Sequence, residues 1–503
     1  MSAPGFRGNL SSDQNARLQQ LWSLLLHLAE ASSLGALEEF VRVNSIDNRS
    51  SLSSVPPPQS PRHSLSRRNS LFVRTESVLS RTRSRSSTKS IYHARLIQTF
   101  REAGFSSSEL RNVRRFLAAM TPEDVRFGVL TAAKHEHPDV YLLRYLRGSK
   151  WDVNQALIQL LDSIAWRLKQ MNVDNILLPR GELYAAEHEN DTKRHNDSAG
   201  FIKQLRMGKA FVHGVDRLNR PVVVIRIRLH KLGEQSDEAL NQFITHIIES
   251  ARLLLSPPIE TATVLFDMTG FSLANMEYAP VKFIIRCVET YYPESLGVLL
   301  IHNAPRVFGS VWKIIKPWIS PEVVSRIHFT NTPTDLEQFI PRASILRELG
   351  GDEDWEYQYI EPSPTENEAM SDTSTRDSLL VERQTINEEF LSATSNWIET
   401  AKLGRPMDLS EAIAQREGVI QRVRFNYWEL DPYVRARNIL DRTGVISDGG
   451  WIDMYPNPDA VLSPLPSPVT PRSPASGPPA IIDTAKVLQV APVQRAQVKI
   501  VNV

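Results

Sequence analysis

The chain has 503 residues, 41% of them hydrophobic, with 58 basic and 57 acidic side chains for a formal net charge of +1. That near-neutral balance excludes the basic footprint expected of a nucleic-acid partner, and the length allows two or three domains. A single cysteine, Cys287, excludes an internal disulfide and fits a reducing, cytoplasmic setting.

In chain order, segment 1–45 opens with MSAPGFRGNLSSDQNARLQQ, which has no apolar signal core. No run anywhere reaches the length of a membrane span, so the expected membrane contact is peripheral. Ser11 to Ala31 predicts an amphipathic helix with Leu18, Leu21, Leu25 and Leu28 on one stripe. Segment 46–90 is Ser-, Arg- and Pro-rich and predicts a disordered insertion. Within it, Arg67-Arg68-Asn69-Ser70-Leu71 suits a basophilic kinase, and its Arg-rich part, 62–89, would add affinity for anionic membranes. Segment 91–195 reads as all-helical. There Asp152 followed by Gln155 predicts a capping box opening a helix that runs through Trp166.

Segment 196–355 alternates strand and helix, which predicts a largely parallel sheet with packed helices. Pro221 to Leu229 reads as a strand with Arg226 and Arg228 on one face, Ala239 to Leu255 as a helix, and Thr261 to Phe266 as a strand buried on both faces. Val281 to Val288 has helical spacing, and Cys287, set near Phe283, Ile284 and Val288, predicts an inert buried thiol. Thr290 to Phe329 then gives a strand (Val298 to His302), a turn, a short helix with Trp312, Lys313, Lys316 and Trp318, and a second strand ending at Phe329. Indole and ammonium groups on one short helix suit the water–lipid boundary, where an apolar body is buried and a polar tip stays wet. Segment 356–378 is an acidic linker. Helices return over 379–445, with a stripe of Ile386, Phe390 and Trp397 expected to dock on the sheet domain. Segment 446–503 reads as a disordered Pro-rich tail in which Ser463, Ser467, Thr470 and Ser473 each precede a proline, a pattern that suits phosphorylation.

The run YLLRYLRGSKWDV, GVDRLNRPVVVIRI, TVLFDMTGFSL, YYPESLGVLLIHNAP and IIKPWISPEVVSRIHF, in that order, resembles the CRAL-TRIO family on its fungal phosphatidylinositol-transfer branch. The resemblance covers roughly 130–355, ends with LRELGG, and extends more loosely to the first helix. It implies an α/β fold: a helical N-terminal subdomain, then a small parallel sheet under a deep apolar pocket closed by a movable helical gate. The gate would fall on about Ser310 to Ile319, which carries Trp312, Lys313, Lys316 and Trp318. Phe243, Ile247, Phe266, Met268, Phe271, Phe283 and Val288 are the pocket-lining candidates.

For a phosphatidylinositol headgroup the family pattern implies Lys150, Glu294 and Arg326, although Ser149 and Val323 stand where the family has an arginine and a threonine. The tyrosines of a phosphatidylcholine site are replaced by Ala210-Phe211-Val212 and Val223-Val224. The resemblance thus implies a non-enzyme that carries a bound phospholipid and needs no metal or organic cofactor. It would contact membranes peripherally, with lipid kinases or other proteins as candidate partners of the C-terminal helices. Two alternatives belong to other classes. One is an adaptor whose pocket senses lipid without transferring it. The other is a serine hydrolase on Gly270-Phe271-Ser272-Leu273-Ala274, one glycine short of a nucleophile elbow, with Glu294 and His302 or His328 downstream.

Overall fold

The computed structural model describes residues 3–47, 96–191 and 197–457, with 31–47 described by their backbone alone. The expectations for 48–90, Ser70, Ser463, Ser467, Thr470 and Ser473 lie outside the described residues.

The helical part comprises α1 (Ser12–Asp47), a stretch at 96–102, α2 (Ser107–Ala119), α3 (Pro122–Ala133), α4 (Pro138–Gly148) and α5 (Val153–Ala165). Capping fixes several starts: the Ser106 and Thr121 hydroxyls accept from the third backbone N–H of α2 and α3, with Glu109 and Asp124 reaching back. Asp152 accepts from the amides of Asn154 and Gln155 and so caps α5, but no reciprocal bond from Gln155 is formed. The helix widens into a five-residue π turn, Trp166–Gln170. The predicted leucine stripe Leu18, Leu21, Leu25 and Leu28 is buried in a core shared with α3, α4 and α5.

After α6 (Leu178–Glu187) and α7 (Asp197–Arg206) come five strands: β1 (Ala210–Val215), β2 (Pro221–Arg226), β3 (Ala262–Asp267), β4 (Leu296–His302) and β5 (Ile327–Thr330). They lie in the order β1-β2-β3-β4-β5, the β1–β2 pair antiparallel and the rest parallel. The crossovers carry α8 (Asp237–Leu253), α9 (Tyr278–Arg286) and α10 (Phe308–Ile315). β2 stops three residues earlier than the sequence suggests, because Ile227–Leu229 turns away from the sheet as a single 3-10 turn. One sheet face, through Phe211, Val224, Leu265 and Leu300, is covered by Leu336, Ile340, Ile345, Trp355 and Tyr357. The other faces α8, α9 and α10.

Two long helices close the described chain, α11 (Thr373–Leu403) and α12 (Pro406–Val434), followed by a β hairpin pairing Ile446 with Ile452. α11 begins at Thr373, inside the expected linker, because Asp372 caps it. Its stripe of Ile386, Phe390 and Trp397 packs on the helical N-terminal core rather than on the sheet. Trp22 meets Phe390 edge-on at 5.2 Å and donates to Asp139 at 2.7 Å, and Arg416 grips both oxygens of Asp139 at 2.6 and 2.7 Å. Tyr427 and Trp428 near the end of α12, Leu440 on the short helix Ile439–Arg442, and Ile446 of the hairpin reach the sheet core.

Candidate functional site

Strand alternation makes the site. On β3, Thr263, Leu265 and Asp267 are buried beneath the sheet, while Ala262, Val264 and Phe266 on the opposite face are only half-buried. They are half-buried because they front a cavity of about 290 Å³ between the sheet and α8, α9 and α10. Helical spacing on α8 turns Leu240, Phe243, Ile244 and Ile247 to it, α9 contributes Val281, Ile284 and Ile285, and α10 contributes Phe308, Trp312 and Ile315. A space walled so largely by aliphatic and aromatic carbon excludes polar solutes and suits hydrocarbon.

Of the candidate lining residues, Phe243, Ile247, Phe266, Met268, Phe271 and Val288 border this cavity. Phe283 does not. It sits against Trp166, Cys287 and Tyr291, because the chain widens into another π turn at Cys287–Tyr291 and brings Tyr291 onto Trp166, with rings stacked 4.0 Å apart. Cys287 is fully buried, and burial pushes its thiol well above the ordinary range.

The expected gate coincides with α10 and the turn Lys316–Trp318. Trp312 points inward to the cavity and meets Phe329 edge-on at 5.4 Å. Trp318 lies outside the cavity wall, edge-on to Tyr278 at 5.5 Å, with the Lys282 ammonium 4.8 Å from the ring centre. Lys313 and Lys316 are exposed, beside the exposed apolar side chains Val307 (41%), Ile314 (48%) and Phe329 (47%). Cations bordering an apolar patch form an amphipathic surface.

The headgroup candidates lie at the other end of the parallel strands, before β4 and β5. Arg326 bonds Glu294 Oε1 at 2.7 Å and the Leu296 carbonyl at 2.7 Å, and Arg147 stands 3.8 Å from the second Glu294 oxygen. Lys150 pairs instead with exposed Glu322 at 2.8 Å, and that bond holds the Glu322 carboxyl below its usual range. The two loops touch: a side chain at Gly148 would come within 3.5 Å of Pro293. Lys150 (φ 52), Trp151 (φ 67) and Glu294 (φ 55) all hold left-handed backbone, which side chains adopt only when the surroundings enforce it. None of Lys150, Glu294 and Arg326 borders the cavity, but Leu296 and Ser295 next to them do.

Sequence reasoning missed the anchor between helical part and sheet. Glu249, buried on α8, accepts from Arg167 (2.7 Å), Tyr292 (2.7 Å) and Arg252 (3.1 Å), and pairs with Lys134. Burial opposes ionisation, but the Arg167, Lys134 and Arg252 charges outweigh it and hold the carboxyl well below its usual range. It also missed the group at the cavity's polar corner, Lys209, His230 and Glu277. Ser272, the hydrolase candidate, bonds Asn275 at 3.0 Å; His302 bonds Thr330 at 3.0 Å and His328 lies against Phe339. The structure therefore does not assemble these residues into a nucleophile–base pair. No helix of the described residues is long and apolar enough to cross a membrane, and no group of three metal-ligating side chains occurs among them.

Comparison with known proteins agrees with this architecture. The CRAL/TRIO domain model matches residues 205–351 and the CRAL/TRIO N-terminal domain model matches 110–162. A CRAL-TRIO domain-containing protein of Schizosaccharomyces pombe is 36% identical over 441 residues, covering 87% of this chain and 91% of its own. Phosphatidylinositol transfer protein CSR1 of Eremothecium gossypii is 40% identical over 319 residues, 62% of this chain and 69% of that protein. A crystal structure of Sfh5 superposes at a TM-score of only 0.33 with 18% identity, over 43% of this chain and 73% of that one, too loosely to carry an argument. With the matched segments falling on the helical part and on the sheet that walls the cavity, the chain belongs to the CRAL-TRIO family.

Proposed function

We propose that this protein binds a phospholipid with its hydrocarbon in the cavity and transfers it between membranes, phosphatidylinositol being the first candidate. The observation that carries this reading is the apolar cavity walled on one side by Phe308, Trp312 and Ile315 of α10, a helix that also exposes Lys313, Ile314 and, in the turn that follows it, Lys316. The physical need is simple. About thirty methylenes at ~0.8 kcal/mol each make passage of a free diacyl lipid through water cost on the order of 20 kcal/mol, so a carrier must replace the bilayer contact. Outward movement of α10 would open the cavity at a membrane, where Trp312 and Trp318 exchange protein contacts for the interface.

Similarity to CSR1, a phosphatidylinositol transfer protein by name, supports the choice of lipid. On this reading Arg326, held by Glu294, meets the phosphate, and Lys150 reaches it by leaving Glu322. In an assay of labelled phosphatidylinositol moving from donor to acceptor vesicles, the purified chain accelerates transfer. Binding without net transfer would instead favour a lipid-sensing adaptor.

A further inference from the structure

The cavity's few polar side chains are nearly all spoken for. Arg226 bonds Glu348 at 2.6 Å, Arg252 and Tyr292 bond Glu249, and Asn275 donates to the His230 carbonyl at 2.8 Å. Lys209 is different. Its side chain is buried (4% exposed) and borders the cavity, and its only hydrogen bond among the described residues runs to His230 Nδ1 at 3.3 Å. His230, 9% exposed, bonds Glu277 Oε2 through Nε2 at 3.0 Å. The bonding fixes a neutral imidazole whose Nε2–H donates to Glu277 and whose Nδ1 accepts from the ammonium. An ammonium has three N–H groups, so two remain unspent, and no carboxylate lies within ion-pair distance of it among the described residues. Among the described residues the other buried lysine, Lys134, has Glu249 in direct contact.

The position of Lys209 is set by the backbone. Gly208 turns the chain with a left-handed φ of 64°, where a side chain would strike the Tyr357 ring at 2.5 Å. The Lys209 carbonyl is then locked by the Arg226 amide at 2.8 Å. A buried cation lacking a contacting anion is a costly arrangement unless something supplies the counter-charge. Burial pulls the ammonium down to about 8, with Glu234 and Glu277 opposing from a distance, so it is still largely charged at neutral pH.

We propose that Lys209, oriented by His230 and Glu277, binds the anionic group, carboxylate or phosphate, of an amphiphile whose tail occupies the cavity. The site lies at the end of the strands opposite Glu294 and Arg326, so it admits an anionic lipid in a second orientation. It rests on the reading that the cavity takes lipid.

The test uses the full chain and two matched pairs: palmitate against methyl palmitate, and a lysophosphatidate against the uncharged monoacylglycerol of the same chain. Binding is read by displacement of a fluorescent amphiphile. Wild type is expected to prefer the anion at least ~10-fold in one pair, and the preferred pair identifies the group as carboxylate or phosphate. Lys209→Met should erase the preference while leaving the neutral partners bound, and Lys209→Arg should restore much of it. No preference in either pair, or a preference that survives in Lys209→Met, overturns the proposal. The wild-type comparison stands even if the methionine variant fails to fold. If none of the four amphiphiles binds, the lipid-cavity reading itself fails, a result distinct from equal binding by acid and ester.

Discussion

Arg326 shows how much one side chain is asked to do. It ties the start of β5 to the start of β4 through Leu296 and Glu294. Arg326→Ala is therefore expected to cut phosphatidylinositol transfer ~10-fold or more while transfer of a lipid lacking the inositol changes less; an equal loss for both would assign Arg326 to structure alone. The buried ion network makes a second prediction. Burial opposes ionisation of Glu136 and Glu182, yet Arg144 and Arg252 around Glu136, and His246 and Arg442 around Glu182, hold both at about 2 against an ordinary 4.5. The unfolded chain thus binds protons that the folded chain refuses, so stability is complete above about 4.5 and is lost as pH falls towards 2, on the order of 3 kcal/mol for each group. His135, lowered by burial from 6.5 to about 4, acts in the same direction from pH 6.5 downward. The urea midpoint should fall steadily from pH 7 to pH 3, and a flat profile would refute the network's role. Lys150, Glu294 and Arg326 could be singled out because they sit in short motifs that resemble the family's. Lys209, His230 and Glu277 could not, since gaps of 21 and 47 residues make them neighbours only after folding.

Elements were more legible than their ends. Apolar periodicity indicated α1, α8, α9 and the parallel strands. It overran β2, because Ile227 and Leu229 keep the alternating pattern after the backbone has turned. The acidic composition of 361–378 hid the start of α11, where Asp372 acts as a cap rather than as linker. For α10 the amphipathic surface gives a direct expectation. Replacing Lys313 and Lys316 together by serine removes two charges worth about 1 kcal/mol each near an anionic surface, so partition onto anionic vesicles should drop roughly 10- to 30-fold. Partition onto neutral vesicles should not change, and co-sedimentation measures both; unchanged anionic binding would remove α10 from the contact surface. For α11, Phe390→Ala empties a fully buried site against Trp22 and should cost about 3–5 kcal/mol by denaturant unfolding. A loss under 1 kcal/mol would mean that α11 is only loosely docked on the helical core.

At the scale of the whole molecule, one architecture explains the parts. A sheet covered on one face by the segment around Leu336 to Tyr357 leaves its other face to α8, α9 and α10, and the space between them is apolar. The helical part braces α8 from outside through Glu249 and Glu136, and the α11–α12 pair grips the helical part in turn through Asp139. That division between helical part and sheet was readable from the sequence. The hollow between sheet and helices was not, since a cavity-lining Phe266 and a core Leu265 look alike until strand faces are known. The most direct test is to extract the purified full-length chain with organic solvent and quantify co-purified lipid by mass spectrometry against protein. The account predicts a phospholipid at close to one molecule per chain, displaced when Phe243 and Ile247 are replaced by tryptophan to fill the cavity. A chain that carries no lipid and takes none up from vesicles, with the same unfolding midpoint whether or not lipid is offered, would contradict it.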